Sequence, residues 1–241
     1  MKRLFTGLFL GILVLLFVFY TNNLFFSIIL VSILLFSLYE LLRFKVKLNL
    51  FSGITLLFIL LNIVLVYPIT EIFSRNLFFT ALLISVIADV SALSMGKLFG
   101  KKIIFPDISP NKTLEGFISG IFFPAAFILL FSYLAQFEFA FINVLFKFLE
   151  IKPMLISFGY ILTFFALVFC SMMSVIGDLI ASKTKRLLDI KDFGNLLPGH
   201  GGFLDRLDSH LICIPVFLSI NSIFSGTKYY VPLYLLLLGF I

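Results

Sequence analysis

The chain has 241 residues, of which 61% are hydrophobic and 12% charged, with a formal net charge of +6 and a mean hydropathy of +1.19. A soluble core of this length cannot hide so much apolar surface, so the composition excludes a soluble globular protein and indicates an integral membrane protein. The excess of Lys and Arg does not indicate nucleic-acid binding, because positive charge collects in the cytoplasmic loops of membrane proteins.

Apolar runs long enough to cross a bilayer as helices repeat along the chain. A hydrocarbon core of roughly 30 Å needs about 20 residues per helix. Such runs, the last two of them shorter, cover about 4–20, 24–42, 50–67, 76–99, 116–136, 153–181, 209–225 and 229–241. The pattern predicts an all-α, polytopic protein with about eight transmembrane helices in a single membrane domain, 1–241. The first run lacks a small-residue cleavage site, so we expect a retained helix.

Several local signals refine this prediction. Proline lacks the amide proton that a continuing helix needs, so we expect the third run to break at Tyr67-Pro68. Charges among aromatics favour an interfacial helix, not a crossing one, over 138–152. Cys170 and Cys213 lie in apolar runs without metal-ligand spacing, and we expect no disulfide between them.

The basic segments set the orientation. With eight crossings they fall on one side, which the positive-inside rule makes cytoplasmic. These segments are 2–3, 43–47, 97–112 and 182–208.

One polar stretch, 178–208, holds ten of the thirty charged residues. On a helix, several of its side chains would share one face: Asp178, Ser182, Lys185, Arg186 and Asp189. Asp178 still lies in an apolar run, where an ionised carboxylate costs several kcal/mol unless it is paired or holds a cation. A functional carboxylate and a structural ion pair with Lys185 are both open interpretations.

The end of the stretch carries the parts of a phosphate and metal site. The segment 198–202 combines Pro with three Gly, which predicts either a plain turn or a loop whose amides approach a ligand. Asp205 and Asp208 then follow at i, i+3, so two carboxylates share one helical face. Carboxylate oxygens suit Mg²⁺, and cations beside acidic metal ligands are what phosphoryl transfer uses.

The segment before the fifth run carries a second phosphate signal. Ser109-Pro110 has the form of an N-cap followed by a first helical residue, which predicts a helix N-terminus that attracts anions. Lys112 would add a positive charge for phosphate. A routine basic loop over 97–112 is the alternative.

The motif as a whole is specific. It reads Ser182-x-x-Lys185-Arg186, four residues, then Lys191-Asp192-x-Gly194-x-x-Leu197-Pro198-x-His200-Gly201-Gly202-Phe203-x-Asp205-Arg206-Leu207-Asp208. It resembles the full signature of the phosphatidate cytidylyltransferases, or CDP-diacylglycerol synthases. Further agreement comes from Gly177-Asp178-Leu179, Asp89, Ala92, Gly96, Phe99-Gly100-Lys101 and Ser109-Pro110-x-Lys112-Thr113-x-Glu115-Gly116. The resemblance covers about residues 80–225, and it divides the domain into N-terminal helices (1–75) and a catalytic part (76–241).

The resemblance implies transfer of CMP from CTP to phosphatidate in phospholipid biosynthesis, at a polar cavity that opens to the cytoplasm from the inner membrane. It implies Mg²⁺ on Asp178 and Asp205, with Asp208 as a third candidate, and leaves room for a second, monovalent ion. Catalytic or phosphate-binding roles fall on Lys185, Arg186, Lys191, His200 and Arg206. Substrate contacts fall on Asp89, Lys112, Ser182, Gly201 and Gly202. The family also suggests a homodimer, and His200 could equally shape the backbone of its turn.

The chain departs from the family pattern at a few positions. Val90 and Leu93 stand where the family has Thr and Tyr, which leaves open whether Ser91 or Ser94 supplies a hydroxyl, and Ala181 stands where Glu is common. Transfer of CMP to another lipid phosphate is the nearest alternative function. An ion-coupled transporter is the alternative from another class, although it would scatter its carboxylates near mid-membrane.

Overall fold

The computed structural model describes residues 11, 13–44, 49–71, 75–134, 137, 149, 151–196 and 201–225. Within these ranges the chain is helical, with an isolated antiparallel bridge between Ile103 and Thr113 and no strand. The helices are α1 (Asn23–Leu42), α2 (Leu50–Glu71), α3 (Arg75–Phe99), α4 (Leu114–Leu134), α5 (Lys152–Leu187), α6 (Leu204–Leu207) and α7 (His210–Ser225). Residues 13–20 are helical as well.

Four of the described helices are long and apolar enough to cross a membrane: Asn23–Leu42, Arg75–Phe99, Leu114–Leu134 and Gly159–Leu187. Shorter apolar stretches lie in α2 and α7, at Leu50–Val66 and His210–Ile223. The all-α class and the membrane character are therefore confirmed. The run at 229–241 and most of 138–152 lie outside the described residues, so the eight crossings and the interfacial helix stay predictions.

Three predicted helix boundaries are wrong. α2 continues through Pro68 to Glu71, because a proline close to the end of a helix removes only one hydrogen bond, which membrane helices tolerate. α4 begins at Leu114, and its N-terminal donor is met by Thr113, whose Oγ1 accepts a hydrogen bond from the N–H of Gly116 at 3.3 Å. Ser109 is therefore not an N-cap.

The third wrong boundary is the end of α5. The helix ends at Leu187, so Asp189 does not share its face with Asp178. Asp189 has a φ of 54°, and its N–H bonds the carbonyl of Arg186 while that of Ile190 bonds the carbonyl of Lys185. These two bonds form a Schellman cap, in which aspartate tolerates the left-handed conformation.

Helices α3, α4, α5 and α7 share one apolar core. Each contributes fully buried side chains to it, such as Ile84, Ala125, Leu167 and Phe217. Cys170 and Cys213 are buried, free cysteines in the same core. A second apolar cluster joins α1, α2 and the end of α5 to the segment around α6, through Leu41, Phe193 and Leu204. In this second cluster, Phe193 and Leu204 of the polar stretch pack with side chains of α1 and α2.

Candidate active site

A cavity of about 610 Å³ collects most of the predicted polar residues. It is bounded by α3, α4, α5, the segment 100–113 and the segment around α6. Its charged lining includes Asp89, Lys112, Asp178, Asp205, Arg206 and Asp208. Residues that are far apart in sequence therefore meet in one space, as the motif predicts.

Asp178 is paired from outside its own helix. Lys112 Nζ lies 2.5 Å from its Oδ2, and Ser182 Oγ donates to its Oδ1 at 3.3 Å. The alternative of a structural ion pair between Asp178 and Lys185 is wrong, because Lys185 turns instead to Asp205. Asp178 keeps 29% of its side chain exposed, so a ligand in the cavity can reach it, whereas Lys112 Nζ is buried against Asp178 although 23% of the lysine side chain is exposed.

Asp205 is the most enclosed of the site carboxylates, with 4% of its side chain exposed. Its Oδ1 lies 3.0 Å from Lys185 Nζ. Its Oδ2 accepts hydrogen bonds from the N–H groups of Phe193 at 2.8 Å and Gly202 at 3.0 Å. Asp205 therefore holds both sides of the turn between α5 and α6 as well as a lysine of α5.

Asp208 and Asp89 bring two further carboxyl groups to the cavity. Asp208 Oδ1 accepts from the N–H of Ser209 at 2.9 Å, and the hydroxyl of Ser209 donates to Asp89 Oδ2 at 3.0 Å. Burial, followed by the charge of Asp178, raises the pKa of Asp208 well above its usual range, against the opposing effect of Lys185 4.0 Å away.

Among the described residues, no group of three or more His, Cys, Asp or Glu is arranged to hold a metal ion by itself. This finding still fits Mg²⁺, which is usually bound by one or two carboxylates together with substrate phosphates and water. The acidic side chains that line this side of the cavity offer carboxylate oxygens, which are the ligands that Mg²⁺ prefers in proteins.

Other predicted site residues lie around the cavity without lining it. Arg186 is exposed, and its Nε donates to the carbonyl of Ile108 at 3.1 Å, which ties α5 to the segment 100–113. Lys191 is exposed on the turn after α5. Gly201, with a φ of 81°, lets the backbone bend before α6. His200 lies outside the described residues.

The departures from the family pattern have structural consequences. Val90 and Leu93 are both 59% exposed, and Leu93 lines the cavity. Ser91 does not supply the missing hydroxyl, because it is buried and its Oγ donates within α3 and to the carbonyl of Ser119 on α4. Ala181 is 2% exposed and packs in the second apolar cluster.

A model of the cytidylyltransferase family matches residues 46–224, which is most of the chain and includes every residue that lines the cavity. The chain belongs to the cytidylyltransferase family. It is similar to the phosphatidate cytidylyltransferase of Bacillus subtilis (strain 168), with 37% identity over 137 residues that cover 57% of this chain and 44% of that protein. The family membership that the motif predicts is therefore confirmed.

Two further relatives give the same result. The phosphatidate cytidylyltransferase of Staphylococcus aureus (strain COL) is 38% identical over 136 residues, or 56% of this chain and 45% of the relative. That of Aquifex aeolicus (strain VF5) is 36% identical over 131 residues, or 54% and 41%. The chain thus matches less than half the length of each of these cytidylyltransferases.

Sequence reasoning did not single out Glu40, whose carboxylate accepts hydrogen bonds from the backbone directly before Asp205. Glu40 lies in α1, before the first residue of the family match, and it is only 2% exposed. The signal was a lone carboxylate at the end of an apolar run, which is a functional candidate by default in a membrane protein.

Proposed function

We propose that the chain transfers CMP from CTP to phosphatidate, giving CDP-diacylglycerol and pyrophosphate. Family membership and the similarity to three phosphatidate cytidylyltransferases support this reaction. The observation that carries the proposal is the convergence of Asp178, Asp205 and Asp208 with Lys112 and Arg206 on one cavity. Phosphoryl transfer depends on positioning and charge neutralisation, and this set of side chains supplies both.

In the proposed reaction, a phosphate oxygen of phosphatidate attacks the α-phosphorus of CTP. A new P–O bond forms to the lipid phosphate, the bond to the β-phosphate oxygen breaks, and pyrophosphate leaves with that electron pair. Lys112 and Arg206 would neutralise the phosphate oxygens, because both line the cavity. Lys185, held by Asp205, would present its charge at a fixed place.

Mg²⁺ is the proposed cofactor. Asp178 and Asp208 would hold it together with substrate phosphates. Asp205 would contribute only if it gave up one of its present hydrogen-bond partners. When bound, it would neutralise developing charge on the phosphates and orient them. In the structure, Lys112 forms an ion pair with Asp178. A phosphate group entering the cavity would compete for Lys112 and so release Asp178.

The placement of the site relative to the membrane is also a proposal. A diacyl lipid and a water-soluble nucleotide meet most simply at the membrane surface, and the cavity lies at the C-terminal ends of α3 and α5. We infer that it faces the cytoplasm from a multi-pass inner-membrane protein, with exposed Arg186 and Lys191 near the lipid headgroups. A homodimer is the proposed assembly.

The test uses the purified protein in vesicles that contain phosphatidate, with CTP and Mg²⁺. We expect a new lipid with the mass of CDP-diacylglycerol, formed only when CTP, phosphatidate and the protein are all present. Asp178→Asn is the matched inactive variant, since it keeps the shape of the side chain but loses its charge. Vesicles with an isoprenoid ether lipid phosphate instead of phosphatidate distinguish the nearest alternative substrate.

Two results would contradict the proposal. The first is formation of a CDP-lipid only from a phosphate other than phosphatidate, which would keep the chemistry and change the substrate. The second is movement of ions across the vesicle membrane without any nucleotide transfer, which would favour a transporter.

A further inference from the structure

A carboxylate from α1 reaches the start of α6, the short helix that carries Asp205. Glu40 Oε1 accepts a hydrogen bond from the N–H of Phe203 at 3.2 Å, and its Oε2 accepts one from the N–H of Leu204 at 2.9 Å. These N–H groups lie at the start of α6, where helical donors have no partner within the helix. Glu40 is 2% exposed, so water does not replace it easily.

We propose that Glu40 is a positioning residue of the active site, which fixes the backbone before Asp205 so that this carboxylate meets Lys185. The catalytic part of the inference rests on the proposed function. The geometric part stands alone, because it concerns how one segment of the fold is held.

The first argument is the cost of burying Glu40. An ionised carboxylate away from water is strongly destabilising unless hydrogen bonds or charges compensate it. The partners that the described residues give Glu40 are two consecutive backbone N–H groups, so the bonds that stabilise the carboxylate also hold the chain at 203–204.

The second argument is the space around the carboxylate. A Cβ built on Gly202 would lie 2.6 Å from Cδ of Glu40 and closer still to both oxygens. A Cβ built on Gly194 would lie 2.9 Å from the same Cδ. Neither glycine has a positive φ, so space and not backbone conformation requires glycine here. Both flanks of the turn therefore fit directly against Glu40.

The third argument is the connection from Glu40 to the site. Leu204, bonded to Glu40, directly precedes Asp205. Asp205 in turn accepts from the N–H groups of Phe193 and Gly202, one on each flank of the turn. Without Glu40, the buried N–H of Leu204 and the part-buried N–H of Phe203 would lose their partner, and the backbone would have to shift to satisfy them. A small shift there moves Asp205 relative to Lys185 on α5, where sub-ångström placement affects catalysis.

The first experiment compares kinetic constants of Glu40→Gln and Glu40→Ala in the vesicle assay. The amide of Glu40→Gln keeps one acceptor but turns an N–H2 group towards a backbone donor. We expect kcat to fall about tenfold or more in Glu40→Ala and by less in Glu40→Gln, with a smaller change in KM for CTP. Ser37→Ala is the matched control, because Ser37 is also buried on α1 but its hydroxyl bonds only the carbonyl of Ile33.

The second experiment is a double-mutant cycle read as melting temperature, which does not depend on activity. Gly202→Ala should lower the melting temperature in the wild-type background and cost much less in Glu40→Ala, because the three nearest atoms to its Cβ all belong to Glu40. Gly194→Ala is the control, since its Cβ also meets the backbone Cα of Gly202 at 3.0 Å. Because a Cβ on Gly194 also meets the Glu40 carboxylate, only the part of its cost that comes from the Gly202 backbone should persist after Glu40 is truncated.

The outcomes separate the two proposals. If the wild-type protein makes no CDP-lipid, the proposed function fails, while the melting cycle still decides whether Glu40 holds the turn. If Glu40→Gln and Glu40→Ala keep wild-type kcat in an active protein, the positioning role is overturned. An equal cost of Gly202→Ala with and without the Glu40 carboxylate would also overturn it.

Discussion

Replacement of Asp205 by asparagine perturbs the site with little change in shape. The Asp205 carboxylate accepts a hydrogen bond from Lys185 through Oδ1 and from two backbone N–H groups through Oδ2. An asparagine keeps one acceptor oxygen, so it can accept hydrogen bonds from either the lysine or the backbone but not from both. The lysine ammonium or the turn therefore loses its partner.

The loss of stability expected for Asp205→Asn follows from how deeply the ion pair is buried. Only 4% of the Asp205 side chain and 14% of the Lys185 side chain are exposed. Removing one partner of a buried ion pair costs about 3–5 kcal/mol of stability. Asp208 still lies 4.0 Å from Lys185, so we expect the lower end, about 3 kcal/mol. In a chain of this size, that loss lowers the melting temperature by about 6–12 °C.

The assay can use the chain's own cysteines. Cys170 and Cys213 are buried, so a thiol-reactive fluorophore labels them as the protein unfolds in detergent. CDP-lipid formation, measured well below the melting temperature of the variant, should be lost. Asp107→Asn is the control, because it removes the same charge from an exposed position and should change the melting temperature by no more than about 2 °C. A variant Asp205→Asn that melts like this control and keeps full turnover would refute the reasoning.

Three other predictions concern the cavity and the topology. Asp178→Asn should abolish CDP-lipid formation while the protein still inserts into the membrane, as membrane fractionation would show; full activity would remove its assignment to the metal. Lys112→Ala should raise KM for CTP by about tenfold, because it deletes a cation from the cavity, and an unchanged KM in steady-state kinetics would argue against phosphate contact. Reporter fusions at residues 105 and 195 should report the same, cytoplasmic side, and opposite sides would overturn the charge-based topology.

Much of the helical architecture could be predicted from the apolar runs, because the length of a membrane-crossing helix is set by the bilayer. The helix ends were less predictable, because they depend on local capping. Thr113 and not Ser109 meets the first donors of α4, and two backbone hydrogen bonds turn the chain at Asp189. Pro68 predicted a helix end that does not occur, because a helix tolerates a proline close to its end.

The motif named several of the residues that line the cavity, but it did not show their partners. A motif shows which residues act together and not which of them touch. Asp178 pairs with Lys112 from another segment and not with Lys185 on its own helix. Glu40 is separated from Phe203 by 163 positions, and only the packing of α1 against the segment around α6 brings them together.

The central claim is that carboxylates and cations from separate segments converge to transfer a nucleotidyl group to a lipid phosphate. Its most direct test follows CTP labelled either at the α-phosphate or at the γ-phosphate, in phosphatidate vesicles with the purified protein and Mg²⁺. We predict that the α-label enters the lipid fraction while the γ-label leaves as pyrophosphate, and that EDTA stops both. Appearance of the γ-label in lipid, or no label in lipid from either nucleotide, would contradict the account.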